Sequence, residues 1–230
     1  HLNPLSGDEQ KKLSLFSEAG NHINYYFIYG SDADDVISGY RQITGKAPIM
    51  PKWAMGLWQS RERYQTQEQL LNIVKEFRSR KIPLDNIVLD WQYWERDKWG
   101  SHDFDTTRFP DPQGMIEELH NDLNARIMIS VWPKFYTGTK HFEEMNSKGF
   151  LYQRNLEKGI EDWIGYQSTF YDAFYPEARA LFWEQINTKL NSIGIDAWWM
   201  DATEPDMESN NSIEERKLLM SPTALGPGAR

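Results

Sequence analysis

The chain has 230 residues, and its 25 Lys and Arg against 34 Asp and Glu leave a formal net charge of -9 at pH 7, which argues against nucleic acid and anionic membranes as partners. With 40% hydrophobic and 26% charged residues, and no apolar run near the roughly 18 residues that cross a bilayer, the composition is that of a folded soluble protein without membrane insertion. Cysteine is absent, which rules out a disulfide framework and a thiolate zinc site.

In chain order, residues 1–20 are polar and charged and carry no signal-peptide pattern. Residues 22–30 run through Tyr25, Tyr26, Phe27, Ile28 and Tyr29 to Gly30 and read as a β-strand. Ser31 stands where a helix N-cap belongs. Asp34 and Asp35 fall in the first turn, and Val36, Ile37 and Tyr40 keep helical spacing as far as Gly45. Pro48 and Pro51 then make residues 46–52 a stiff connector and a domain boundary.

Beyond the connector, strands and helices alternate. Residues 54–58 are a short apolar strand. A helix from about Thr66 places Leu70, Leu71, Val74 and Phe77 on one face. Residues 86–91 form a second, buried-type strand. After Asp111 and Pro112 a helix carries Met115, Ile116, Leu119 and Leu123 on one stripe, and residues 125–132 form a third strand. An irregular aromatic stretch follows. Pro176 then opens a helix with Ala178, Leu181, Phe182, Ile186 and Leu190 facing inward, and residues 195–200 form a fourth strand.

Near-continuous apolar strands separated by amphipathic helices imply an α/β fold with a parallel sheet, either doubly wound or a (β/α)8 TIM barrel. Two features favour the barrel. Each strand ends in a residue able to bind or react (Trp58 and Gln59, Asp90 and Trp91, Trp132 and Lys134, Asp201), as the C-terminal face of a barrel requires. No Gly-rich phosphate loop follows the first strand. Because a whole barrel takes about 250 residues, the four β units of residues 47–230 read as a fragment of one.

Aromatic residues make 14% of the chain, yet its mean hydropathy of -0.70 is strongly polar. Most of these rings fill a core, but rings mixed with polar groups also suit a site for sugars. The densest acidic cluster is Asp201, Glu204 and Asp206 after Trp198, Trp199 and Met200. There an apolar strand delivers a carboxylate to its tip, rigidly held and walled by tryptophan, as a nucleophile requires. The plainer accounts are an acid-rich helix start or a solvated turn. A divalent metal site lacks support, with no His at ligand spacing and no calcium-loop pattern.

The run Gly194-Ile195-Asp196-Ala197-Trp198-Trp199-Met200-Asp201-Ala202-Thr203-Glu204-Pro205 closely resembles the nucleophile motif of glycoside hydrolase family 31. Four more segments match that family in order. Ile87-Val88-Leu89-Asp90 is similar to the strand ending in the pocket aspartate of subsite −1. Asp105-Thr106-Thr107-Arg108-Phe109-Pro110-Asp111-Pro112 resembles the segment after it. Ser130-Val131-Trp132-Pro133 is similar to the strand with a sugar-facing tryptophan, and Asp172-Ala173-Phe174-Tyr175-Pro176-Glu177-Ala178-Arg179 resembles a further family segment.

The resemblance implies a retaining α-glycosidase whose (β/α)8 domain follows an N-terminal β-sandwich. Residues 1–46 are then the end of that sandwich plus a connector helix, and 47–230 the N-terminal half of the barrel. It implies Asp201 as nucleophile, Asp90 as a ligand of sugar hydroxyls, Trp132 and Trp199 as walls of subsite −1, and Glu204 as a supporting or hydroxyl-binding group. No cofactor or metal is implied. The partners are an oligosaccharide substrate and the remainder of the same polypeptide, which would carry the acid/base aspartate; Asp162, Asp172 and Glu208 are not substitutes. Asp105, Arg108 and Pro112 read as a capped, ion-paired loop.

The sugar turns on room for a C5 hydroxymethyl group. Trp91, bulky and next to Asp90, would occupy that space and favour an α-xylosidase acting on xyloglucan-type oligosaccharides. An α-glucosidase of the same family is the alternative, and a carbohydrate-binding protein without catalysis is the alternative from another class.

Overall fold

The computed structural model describes residues 23–159 and 161–203, and the chain divides into two units, 1–49 and 50–230. In the first unit, residues 33–44 form helix α1 (Ala33–Thr44). Asp32 caps it, accepting the Asp35 N–H at 3.0 Å, while the Asp35 carboxylate accepts the Ser31 N–H at 3.2 Å. The cap is thus one residue later than the expected Ser31. Gly45, at φ 82, ends the helix by donating to the Arg41 carbonyl. The strand expected at 22–30 is not formed in the described residues 23–30. Tyr25, Tyr26, Phe27 and Tyr29 are exposed, because β-propensity becomes a strand only against a pairing partner, and no described residue pairs with them.

In the second unit a four-stranded, all-parallel sheet runs in the order β1 (Trp58–Gln59), β2 (Asn86–Leu89), β3 (Arg126–Val131), β6 (Ala197–Met200). The crossovers carry α2 (Gln67–Ser79), α3 (Pro112–Asn121) and α6 (Pro176–Lys189). Thr66 and Asp111 cap α2 and α3 through the Gln69 and Gly114 N–H groups, at 3.1 and 2.9 Å. Leu70, Leu71 and Val74 of α2, and Met115, Ile116 and Leu119 of α3, are buried against the sheet. Below the sheet the Arg78 guanidinium donates to the carbonyls of Leu84, Leu123 and Asn124, at 2.6 to 3.1 Å, tying the end of α2 to the entries of β2 and β3.

The first strand is shorter and later than expected. Residues 52–55 form a 3-10 turn, Lys52–Met55, and pairing begins only at Trp58, whose indole N–H donates back to the Ala54 carbonyl at 3.0 Å. Gly56 permits this turn, since a Cβ there would lie 2.0 Å from the Asp85 carboxylate that accepts the Leu57 N–H.

The stretch between β3 and α6 is more ordered than its sequence suggested. It contains a two-stranded antiparallel sheet of β4 (Lys134–Tyr136) and β5 (Ser168–Phe170), with α4 (Lys140–Ser147) and the short α5 (Arg154–Glu157) between them. Asn155 and Thr169, both buried, hydrogen-bond to each other and to the Ser168 and Tyr152 carbonyls, which satisfies polar groups the sequence does not pair.

Candidate active site

Strand register decides which side chains meet. Leu89 is opposite Ile129, Ile129 opposite Trp198, and Ser130 opposite Trp199. Side chains alternate between faces with a period of two. Ile87, Leu89, Ile127 and Ile129 are buried on the helix side, and Trp198 meets the α6 residue Trp183 edge to face, with ring centroids 6.0 Å apart. Trp199 therefore faces the opposite, inner side, in a row with Ser130 and Asp90. Two residues further along, Asp201 shares that face with Trp132.

Both carboxylates stand just past a strand end, and their backbones are pinned. The Asp90 carboxylate accepts the Trp91 N–H at 2.7 Å. The Asp201 N–H extends the ladder to the Val131 carbonyl at 3.2 Å, and its carboxylate accepts the Ala202 N–H at 2.9 Å. The chain then leaves each tip through a left-handed residue that is not glycine, Gln92 at φ 62 and Ala202 at φ 47, a conformation costing on the order of 1 kcal/mol and concentrated at functional sites. Burial pushes the Asp90 carboxyl above its ordinary value; the Trp91 N–H opposes this, while the negative charges of Glu62 and Asp201 add to it. Asp90 thus lies within electrostatic reach of both Glu62 and Asp201.

Trp132 is half-buried and Trp199 is 37% exposed. The Trp132 indole N–H and the buried Ser130 hydroxyl, both on the inner face, find no hydrogen-bond partner among the described residues. Trp91 turns toward the loops, stacking on Trp99 with centroids 5.6 Å apart and donating its indole N–H to Glu62 at 3.1 Å. The Arg63 guanidinium lies over its ring at 4.6 Å. Glu204 lies outside the described residues.

Sequence reasoning missed Glu62, Arg63, Trp99 and Trp163, and placed Lys134 at a strand end without its partner Asp162. No periodicity or spacing marks the first two, which come from the loop after β1, 29 and 28 residues respectively before the Trp91 ring they touch. The Arg108 guanidinium pairs with Asp105 at 2.8 Å and donates to the Gln92 and Trp94 carbonyls at 2.8 and 2.7 Å, the structural role expected of it. Asp162 pairs with Lys134 at 2.6 Å, and the buried Asp172 accepts the Phe174 N–H at 3.0 Å. No metal-holding group of three or more His, Asp or Glu occurs among the described residues. A flanking cavity of about 300 Å³, bordered by Glu95, Asp103, His141 and Lys189, includes none of the strand-tip residues.

Residues 47–224 match the family model described as the glycosyl hydrolases family 31 TIM-barrel domain. An α-xylosidase of Saccharolobus solfataricus is 47% identical over 197 residues, covering 86% of this chain and 25% of that protein. An α-glucosidase of the same organism is 28% identical over 208 residues, covering 86% of this chain and 28% of that protein. The crystal structure of a family 31 α-xylosidase from Xanthomonas citri superposes with a TM-score of 0.88 at 54% identity, over 97% of this chain and 24% of the other. The chain thus spans about a quarter of the length of the relatives it matches. With a matching family model over most of its length and a parallel sheet that gathers the motif residues at one end, the chain belongs to glycosyl hydrolase family 31 and carries part of its TIM-barrel domain.

Proposed function

We propose that residues 47–230 supply the nucleophile half of a retaining α-glycosidase site, most closely that of an α-xylosidase acting on xyloglucan-type oligosaccharides. Residues 1–46 are on this reading the end of an N-terminal β-sandwich with its connector helix. The exposed Tyr25, Tyr26, Phe27 and Tyr29 fit a segment that pairs with the rest of such a domain. The observation carrying the proposal is the inner-face placement of Asp201 beside Trp132, on the same face as Asp90 with only β3 between their strands.

In the mechanism, an Asp201 oxygen attacks the anomeric carbon from the β face. The bond from that carbon to the glycosidic oxygen breaks, and the departing oxygen takes a proton from an acid carried by the remainder of the polypeptide. The product is a β-linked glycosyl-enzyme. Water, deprotonated by the same group, displaces Asp201 and restores the α configuration. Asp90 accepts hydrogen bonds from sugar hydroxyls, and these strengthen as the ring flattens toward an oxocarbenium ion. Glu204 supports the nucleophile or binds a hydroxyl. Trp132 and Trp199 stack on apolar sugar faces and hold the ring in position above Asp201.

Trp91 is the residue proposed to exclude a C5 hydroxymethyl group, held in place by Trp99 and Glu62. The higher identity to the α-xylosidase than to the α-glucosidase of one organism supports the same preference. An α-glucosidase is the second reading, favoured by that α-glucosidase relative. One missing group in an apolar pocket discriminates by only about 10- to 200-fold.

The test uses the complete polypeptide and an α-xyloside followed by NMR. The first sugar released is expected to be α-xylose, and Asp201→Ala is expected to lower kcat by about 10⁴-fold or more. Initial β-xylose, or an active Asp201→Ala variant, would overturn the mechanism. Faster cleavage of the matching α-glucoside would leave the mechanism standing and reverse the sugar preference. Sugar binding without turnover in the wild type would establish the non-catalytic alternative.

A further inference from the structure

The segment that follows Trp99 is bent and pinned. Gly100 at φ 86 and His102 at φ 55 both take the left-handed backbone, a conformation that histidine keeps only where its surroundings enforce it. The Tyr136 N–H donates to the Trp99 carbonyl at 2.9 Å, and a Cβ on Gly100 would lie 2.6 Å from the Lys134 carbonyl. Two imidazoles close the bend. His141 Nδ1, in the first turn of α4, lies 3.0 Å from the Gly100 carbonyl oxygen and 3.1 Å from His102 Nδ1. A carbonyl can only accept, so the proton is on His141 Nδ1 and is shared between these two acceptors. His102 Nδ1 is then the bare nitrogen. Its own proton is on Nε2, which has no hydrogen-bond partner among the described residues.

This arrangement exists for neutral rings only. His102 is 4% exposed, and its ring stands against Phe135 and Phe182, with centroids 6.2 and 5.8 Å away. A proton added to its one basic nitrogen sets two donors head to head at 3.1 Å, in apolar surroundings that do not solvate the charge. Burial, reinforced by His141 and Lys189, pushes the His102 pKa down to about 3, against 6.5 for a ring in water. The remaining charges near the pair are Glu95, Lys98 and Asp103 on the same loop, Lys140 and Glu144 on α4, and Lys189 on α6, which pairs with Asp103 at 2.6 Å. Burial also holds His141 below its ordinary value; Lys189 adds to this, while the Gly100 carbonyl, Asp103 and Glu144 oppose it. We propose that His102 and His141 form a proton-operated latch, which holds residues 100–104 against α4 and α6 while both rings are neutral and releases them when His102 takes a proton. The segment begins beside Trp99, whose ring lies 5.6 Å from Trp91 and 4.8 Å from Trp132, so release loosens the support behind two strand-tip residues. Closure is fully favoured above the free-ring pKa and weakens as pH falls toward the closed-state value, about 25-fold between pH 7 and pH 5.

The experiment is amide hydrogen exchange of the complete polypeptide at pH 7 and pH 5, corrected for intrinsic rates, which reads local opening directly. The Ser101 N–H, bonded to the Lys98 carbonyl at 3.0 Å, is expected to lose about 25-fold of its protection at the lower pH, while the amides of β3 stay within about twofold. His102→Asn accepts the left-handed backbone, offers an amide oxygen in the place of Nδ1 and takes no proton, so its protection should hold across the same range. His141→Ala, at a half-buried position, should show weak protection already at pH 7, and His141→Asn, which keeps a donor, should restore it. The two His141 variants carry the test independently of folding at the buried position. Constant protection in the wild type, or an undiminished fall in His102→Asn, would overturn the latch. An equal fall in β3 would do so as well, since it would mark opening of the whole domain.

Discussion

Asp105 and Asp162 are carboxylates held ionised by different surroundings. Asp105 accepts the Thr107 hydroxyl at 2.6 Å and the Arg108 guanidinium at 2.8 Å, which together lower its pKa to about 2. In the unfolded chain the group titrates near 3.8, so the stabilisation is fully present above that pH and is lost as pH falls through about 2. The titrating part is about 2 kcal/mol at neutral pH and about half of it by pH 3. Urea denaturation of wild type against Asp105→Asn should show the gap narrowing over that range, and a gap constant from pH 7 to pH 2 would contradict it. For Asp162 burial works against ionisation, but hydrogen bonds from Lys134 and Tyr136 outweigh it and hold the carboxyl below its ordinary value. Legibility differs accordingly. Asp105 and Arg108 are three positions apart, so their pairing shows in the sequence. Asp162 and Lys134 are 28 apart, and Trp163 offers no spacing or motif that sets it apart from the core tryptophans.

Among the elements, α2 and α3 are readable because a capping side chain, Thr66 or Asp111, stands just before an apolar stripe, and α6 because Pro176 occupies its first position ahead of one. The β4–β5 pair and α4 are not, because their order depends on long-range partners. Lys134 opens β4 and is buried with the Asp162 carboxylate and the rings of Trp99 and Trp163 around its ammonium. The entry to β6 shows how one side chain sets an element. The Asp196 carboxylate accepts the Ile127 N–H at 3.0 Å, bonds the His120 Nε2 at 2.7 Å and lies 3.4 Å from Arg126. Asp196→Ala leaves the partly buried Ile127 and His120 groups without an acceptor, and a loss of about 1 to 3 kcal/mol is expected. The urea midpoint should fall with an unchanged slope; an unmoved midpoint would refute the clamp.

At the scale of the whole molecule, the alternation of strand and helix shows the parallel sheet in the sequence, while the register that brings Asp90 and Asp201 to one face required the structure. Parallel sheets are stable when both faces are covered. Here Trp199 on the inner face is 37% exposed, and the outer edges of β1 and β6 have no partner among the described residues. Produced by itself, the 230-residue chain is therefore expected to bind the dye ANS and to self-associate at micromolar concentration. The complete polypeptide should do neither. A monomeric isolated chain without dye binding would show that this surface needs no cover.

Strand β6 acts as a ruler. Asp196 fixes its lower end to β3, the Asp201 N–H fixes its upper end to Val131, and the four residues between set which way the last carboxylate turns. Adding or deleting one residue in that interval reverses the parity and points Asp201 at the helices, whatever the new residue is. The hairpin bearing Trp163 obeys no such count. Length changes there leave the direction of Asp201 as it is, so diversification in this scaffold is channelled into the loops and barred from the strand.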